Sequence, residues 1–447
     1  PRRPRRWQWG VVLQNGVAEW YRLAAGGARM RGGGLRALRY DSAMSWSSGP
    51  RESLALYLHI PFCRLRCAYC DFNTYAGLDD LIAPYVAALV QEVRMVGEAA
   101  GRPPAHTVFL GGGTPSLLSL DQVAALLAAV QAAFALAPAC EITLEANPGT
   151  VGRAYLDGLR ALGVNRLSFG VQSSHPHELR LLDRLHLFGD AVQALSWARA
   201  AGFDNVNLDL IFGLPHQTLA QWQATLLRVI GLGPEHISAY ALSLEHGTPM
   251  RAWVHRGLLP MPDPDLAADM YAWASETLAG HGYVQYEISN WAQAGGSRMP
   301  DGADLPAYAC RHNVQYWRNL PYLGLGAGAH GYAAGQRYAN VLAPAAFIAR
   351  LREDPPRPFP LSPAVAQSTI ITDDEAMGET MLMGLRLVRE GVPAETFRAR
   401  FGVDLALRYG RELERLRARQ LIEWTPERVR LTPQGRLLGN LVFVEFV

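Results

Sequence analysis

Downstream of residue 53 the chain alternates compact apolar runs with amphipathic stretches, repeating after roughly 30 residues, the length of one strand–helix unit in a parallel sheet. Leu54–Ile60 (LALYLHI) reads as a buried strand, and an amphipathic segment follows at 79–100. Thr107–Leu110, Glu141–Glu145, Arg166–Gly170, Asn205–Ile211 and His236–Tyr240 repeat the strand pattern. Helical periodicity separates them at 120–136, 152–162, 189–201 and 218–230. Six such units predict an α/β fold in which a parallel sheet curls part of the way into a TIM-like (β/α)6 barrel. Functional groups then belong at the C-terminal ends of its strands.

After residue 245 the pattern loosens. A helix is predicted near 265–280, followed by Tyr286–Asn290, an irregular stretch at 294–306 and the glycine-rich Gly324–Gly328. A proline-rich connection at 354–363 marks a boundary. Helices near 373–390, 394–401 and 405–419 then precede a hairpin of Leu421–Trp424 and Val429–Leu431, the order of a winged helix. The expected organisation is a tail over 1–50, a barrel over 51–290, a connecting region over 291–353 and a winged-helix-like α+β domain over 364–447.

With 447 residues, 49% of them hydrophobic, the chain can bury a large core. Its net charge of +2 exerts no general pull on nucleic acid. That balance hides nine Arg against Glu19 and Asp41 in residues 1–43, a stretch read as a disordered or upstream-translated tail with Met44 as a candidate start. The chain has no Lys, so its Arg content reflects coding bias rather than a choice of bidentate contacts. In the 405–419 segment Arg and Glu alternate as on a solvated helix face, so a DNA-reading role is not expected. No charge-free run of 18 apolar residues exists, and the N-terminal apolar stretches are short and broken by Gly. Neither a membrane span nor a signal peptide is expected, and the reading is a cytoplasmic protein.

Three of the five cysteines, Cys63, Cys67 and Cys70, fall within eight residues directly after the first strand. Such crowding is wrong for a disulfide framework and right for a metal site in a reducing compartment. Three thiolates on a short loop can ligate three corners of a [4Fe–4S] cubane and leave the fourth iron open. S-adenosylmethionine can fill that position through its amino and carboxylate groups. Zinc is the rival, with His59 completing a Cys3His set, but no second Cys-x-x-Cys knuckle accompanies it.

Gly111-Gly112-Gly113-Thr114-Pro115 ends the second strand, where glycines admit a ligand to the backbone. Glu145 ends the third strand and Gln172 the fourth; Arg184 follows, and Asp209 lies in the fifth. Singly, each charged residue is as consistent with a core ion pair. Converging on one barrel mouth, they could hold ribose hydroxyls and a carboxylate.

Together Tyr57-x-His59-Ile-Pro-Phe-Cys63-x-x-x-Cys67-x-Tyr69-Cys70, the Gly111–Pro115 motif, Gly170-Val-Gln172 and Asp209-Leu-Ile-x-Gly-Leu-Pro215 resemble the radical S-adenosylmethionine proteins around oxygen-independent coproporphyrinogen III dehydrogenase. The resemblance runs from about residue 54 to the C-terminus. It implies cluster ligation by Cys63, Cys67 and Cys70, and cofactor contacts from Tyr57, Tyr69, Gly112, Gly113, Thr114, Glu145, Gln172, Arg184 and Asp209, with Ser243 a further carry-over.

Two branches part here. The dehydrogenases, which decarboxylate porphyrinogen propionates oxidatively, typically carry another Cys two residues past the last cluster Cys, where this chain has Phe72. Cys70-Asp-Phe-Asn73 and His312-Asn-Val-Gln-Tyr316-Trp317 instead resemble the heme chaperone (HemW) family. That implies heme as a further ligand, with His312 as an axial imidazole, Asn313 orienting it, and Tyr316 and Trp317 against the porphyrin. It also implies transfer to acceptor hemoproteins, respiratory and membrane-associated ones among them, by a monomer or a cluster-dependent dimer. Read alone, the His312 stretch is as consistent with a packed core histidine, and Cys310 with a small buried residue.

Overall fold

A computed structural model describes residues 53–295 and 304–446; the expectations for residues 1–50 lie outside the described residues. The six expected strands are β1 (Leu54–Ile60), β2 (Pro104–Gly112), β3 (Ala135–Ala146), β4 (Arg166–Gln172), β5 (Val206–Phe212) and β6 (His236–Ala241). Each pairs in parallel with the next. Crossover helices α1 (Ile82–Ala99), α2 (Leu120–Ala133), α3 (Arg153–Ala161), α4 (Phe188–Ala200) and α5 (Leu219–Gly231) join them, and α6 (Pro264–Gly280) packs on α5. Ser119 with Gln122, and Thr218 with Gln221, form reciprocal caps that fix where α2 and α5 begin.

The outer face of the sheet is apolar. Leu56, Leu58, Val108, Leu110 and Leu144 pack under Leu89 and Val93 of α1 and Leu126 and Val130 of α2, all buried. Each such side chain contributes about 1.5–3 kcal/mol. The inner face is polar at every second position: Glu141, Thr143 and Glu145; Arg166 and Ser168; Asn207 and Asp209; His236 and Ser238. Period-two alternation therefore turns one side of each strand to the helices and the other to the barrel interior.

The barrel does not close. Beyond β6 come β7 (Tyr283–Gln285) and β8 (Asn290–Gln293), and on the far side β9 (Tyr322–Leu325), β10 (His330–Ala333), β11 (Gln336–Asn340) and β12 (Val365–Ile370). The 12 strands run β12-β11-β10-β9-β1-β2-β3-β4-β5-β6-β8-β7, with β9 parallel to β1. Residues 291–353, expected as a connecting region, thus supply strands to the main sheet, as does the stretch after the proline-rich connection. Glycines at tight crossings mask the strand pattern there. A Cβ at Gly324 would stand 1.8 Å from the His330 carbonyl oxygen, and one at Gly331 would stand 2.2 Å from the Tyr338 ring. Helices α7 (Arg311–Trp317) and α8 (Pro344–Glu353) complete this half.

The C-terminal unit contains α9 (Asp373–Gly384), α10 (Ala394–Phe401) and α11 (Leu405–Ala418) against a sheet of β13 (Val392–Pro393), β14 (Ile422–Trp424) and β15 (Arg428–Leu431). The helix expected over 373–390 stops at Gly384. Met381, Phe397, Leu413, Leu416, Ile422 and Val429 form its core. Along α11, Arg417 pairs with Glu414 and Arg415 with Glu445. The unit docks through Arg318–Glu390 at 2.7 Å and through the buried ion pair of Arg337 and Glu379. Among the described residues no helix is long and apolar enough to cross a membrane.

Candidate functional site

The cysteine loop is pinned at both ends. Phe62–Cys63 pairs in parallel with Tyr75–Ala76, and the Tyr75 amide donates to the Pro61 carbonyl at 2.7 Å. Each sulfur has a polar partner. Thr114 Oγ1 donates to Cys63 Sγ at 3.5 Å, Arg184 Nη1 donates to Cys67 Sγ at 3.5 Å, and Thr74 Oγ1 lies 3.9 Å from Cys70 Sγ. Burial pushes the Cys63 thiol up and the Cys70 thiol to about 11, so bound iron would be what draws their protons off. Among the described residues no group of three or more His, Cys, Asp or Glu could hold a metal ion as it stands. His59, the fourth ligand a zinc site would need, has Nδ1 2.9 Å from the Tyr57 hydroxyl and Nε2 2.9 Å from the Asn73 carbonyl oxygen. Three half-buried thiols beside hydrogen-bond donors suit three corners of a cubane.

The glycines of β2 are required where they stand. Gly112 has φ +114°, and a Cβ there would fall 2.5 Å from the His59 ring; a Cβ on Gly113 would meet Cys63 Sγ at 3.0 Å. The Gly112 amide donates to Glu145 Oε2 at 2.9 Å. Burial raises the Glu145 carboxyl to about 7, the Gly112 bond opposing and the Asp209 charge assisting. Asp209 accepts from Ser168 Oγ at 3.0 Å and Asn207 Nδ2 at 2.8 Å, and burial raises its pKa too. Gln172, at φ +68°, leaves its buried Oε1 without a partner. Arg184 also donates to the Gly170 carbonyl at 2.8 Å. Ser243 donates to Glu245 at 2.5 Å.

A cavity of about 840 Å³ runs through the barrel interior, lined from Arg166 and His236 at the starts of their strands to Glu145 and Gln172 near the strand ends. Of the expected set, Tyr57, Tyr69, Cys70, Gly112, Glu145, Gln172, Asp209 and Ser243 line it, while Gly113, Thr114, Arg184, Cys63 and Cys67 are not among its lining residues. His312, Asn313, Tyr316 and Trp317 of α7 line the same cavity.

His312 is 1% exposed. Its Nδ1 lies 2.8 Å from Thr107 Oγ1 and its Nε2 2.8 Å from the Tyr316 hydroxyl, so Thr107 and Tyr316, not Asn313, orient the ring. Phe109 stacks on it at 5.0 Å. Burial first, then the neighbouring His106 and Arg166, depresses its pKa to about 3. Glu141, which sequence reasoning passed over, starts α7 by accepting from the Arg311 and His312 amides at 3.1 and 3.2 Å. Cys310 is buried beside Glu141, and burial pushes its thiol to about 12. Trp317 packs among Met383 and Leu387 with the Arg386 guanidinium 4.5 Å above its ring. Alternating polar residues in apolar strands were the available signal for Thr107 and Glu141.

An open parallel barrel with cysteines after its first strand and glycines after its second defines a radical S-adenosylmethionine protein. The radical SAM superfamily pattern matches residues 57–229, and the HemN C-terminal domain pattern matches residues 371–438. A heme chaperone HemW of Mycobacterium tuberculosis is 36% identical over 88% of this chain and 94% of that protein. One of Bacillus subtilis is 36% identical over 88% and 98%. The chain belongs to the heme chaperone HemW family. Among solved structures, the coproporphyrinogen III oxidase of Escherichia coli, a radical SAM enzyme, is similar with a TM-score of 0.74 at 25% identity, over 90% of this chain and 91% of that one.

Proposed function

We propose that the protein is a heme chaperone that holds a [4Fe–4S] cluster on Cys63, Cys67 and Cys70, binds S-adenosylmethionine at the strand ends, and carries heme to acceptor hemoproteins. The observation that carries this reading is one cavity lined both by Cys70, Gly112, Glu145 and Asp209 and by His312, Asn313, Tyr316 and Trp317. Gly112 and Gly113 open room for the cofactor, Glu145 and Asp209 offer carboxylates to its ribose and ammonium groups, and Gln172 has a buried acceptor to give. When bound, the cluster supplies one electron at low potential to the sulfonium. The Tyr316 and Trp317 side chains offer flat apolar area to a tetrapyrrole. Ligation of iron by His312 would require the Tyr316 hydroxyl to release Nε2.

Anaerobic reconstitution with iron and sulfide should give protein with four irons per chain and acid-labile sulfide. Added hemin should then produce a Soret band that transfers to an apo-hemoprotein on mixing. Robust conversion of coproporphyrinogen to protoporphyrinogen would instead make it a dehydrogenase. One tightly held zinc without sulfide would remove the cluster.

A further inference from the structure

Three arginines line the cavity: Arg66, Arg166 and Arg386. Arg66 is exposed, and its Nη2 donates to the Cys70 carbonyl at 3.2 Å. Arg386 lies 4.5 Å above the Trp317 ring. Arg166 is different. It is 2% exposed, its buried Nε has no partner, and among the described residues its guanidinium makes no hydrogen bond or ion pair. A guanidinium cannot shed its proton, so a full charge is held out of water, which is costly unless something pairs with it.

The two carboxylates whose charge reaches Arg166 are spent elsewhere. Glu141 accepts from the Arg311 and His312 amides, and Asp209 from Ser168 and Asn207, so both act on the guanidinium only at range. Glu287, also buried in the cavity wall, bonds Asn290 and feels Arg386 instead.

Strand register puts Arg166 beside α7. Thr107 of β2 stands opposite Glu141 of β3, and Thr143, next on the same face of β3, stands opposite Arg166 of β4. Thr107 and Glu141 are the groups that hold His312, so α7 and Arg166 share one end of the barrel interior. The Arg166 charge is accordingly felt at Cys310, His312 and His236. The cysteines lie towards the other end. Gly170, whose carbonyl takes Arg184 beside Cys67, comes about 13 Å further along β4.

We infer that Arg166 is a carboxylate-binding residue at the inner end of the cavity, receiving a propionate of a tetrapyrrole that lies against Tyr316 and Trp317. This rests on the heme-binding reading above. The guanidinium offers a fork of N–H donors that matches the two oxygens of a carboxylate, and the bound acid supplies the charge that the wall lacks. S-adenosylmethionine carries the other carboxylate the cavity would hold, and the test separates the two.

The test is titration of the anaerobically reconstituted full chain with hemin and with hemin dimethyl ester, followed in the Soret region, for wild type, Arg166→Gln and Arg166→Lys. Iron and sulfide contents verify that each variant is folded. Wild type should bind the ester about tenfold or more weakly than hemin. Arg166→Gln should lose about tenfold for hemin and little for the ester, so that the two ligands bind alike. A merely structural role would weaken both in the same ratio. Affinity for S-adenosylmethionine, measured by calorimetry, should stay at the wild-type value. If Arg166→Gln takes up no cluster, Arg166→Lys decides, since it keeps the charge but not the fork: it should bind hemin severalfold more weakly than wild type and discriminate less against the ester. The inference is overturned if wild type binds hemin and its ester equally, if Arg166→Gln weakens both alike or weakens S-adenosylmethionine instead, or if Arg166→Lys matches wild type. Failure of the wild type to bind hemin at all would sink the chaperone reading itself.

Discussion

The Tyr316 hydroxyl lies 2.8 Å from Nε2 of His312, one turn earlier on the same helix, and Thr107 holds the opposite nitrogen from β2. The imidazole of the heme motif is therefore a rivet between α7 and the barrel, set between the Phe109 and Tyr316 rings.

Tyr316→Phe removes one partner of that rivet while keeping the ring. It should cost about 1 kcal/mol in chemical denaturation and leave the Soret maximum of the heme complex in place. A new spectrum would show that freeing Nε2 admits His312 to the iron.

Gly112→Ala puts a methyl into the His59 ring at a backbone angle that L-residues avoid. The strand end must shift, taking the amide away from Glu145. Binding of S-adenosylmethionine, measured by calorimetry on the reconstituted protein, should weaken about tenfold or more, equivalent to about 1.4 kcal/mol.

The side chains of Arg337 and Glu379, 5% and 4% exposed, join β11 to α9, with Arg337 Nη2 also donating to Asn319 Oδ1 at 2.7 Å. Glu379→Ala strands a buried guanidinium and should destabilise by about 3–5 kcal/mol. Hydrogen exchange should show faster opening at the junction of the C-terminal unit with the sheet. The double change Arg337→Met with Glu379→Leu should recover most of the loss.

Glu92 is fully buried on α1, accepting from the Gly326 amide at 2.6 Å, Asn340 Nδ2 at 3.0 Å and Ser362 Oγ at 2.6 Å. Burial raises its carboxyl from 4.5 to about 7, these bonds opposing. A raised folded pKa means the group's stabilising contribution is complete below pH 4.5 and is lost as pH rises through 7. The span corresponds to about 3 kcal/mol. Thermal unfolding between about pH 5.5 and 8.5 should show the melting temperature falling as pH rises, with a shallower slope in Glu92→Gln. Glu145, raised to about 7, contributes in the same direction.

The strands that sequence periodicity located best were those apolar on their helix-facing side. Leu54–Ile60 was placed residue for residue because nothing polar interrupts its outward positions. The loop of three cysteines was equally visible, since three thiols in eight residues are a local signal. Long-range pairings were not. Glu141 lies 171 residues from the His312 amide it caps, and nothing near Glu141 announces that partner. The strands β9 to β12 escaped for a related reason. Their pairing depends on Gly324 and Gly331 letting neighbouring chain approach, and a glycine reads locally as a turn.

The first strand lies between β2 and β9, with Ala55 opposite both Thr107 and Tyr322. During synthesis the cysteines therefore leave the ribosome long before one of the two neighbours of their strand exists. A nascent chain that has reached only β6 carries β1 as a raw edge, and its cysteine loop lacks the Asn73 bonds to the Ala327 and Leu342 carbonyls. The strand that leads into the three cysteines is thereby completed only by the last third of the chain, and a fragment ending before residue 322 lacks one of its two neighbours.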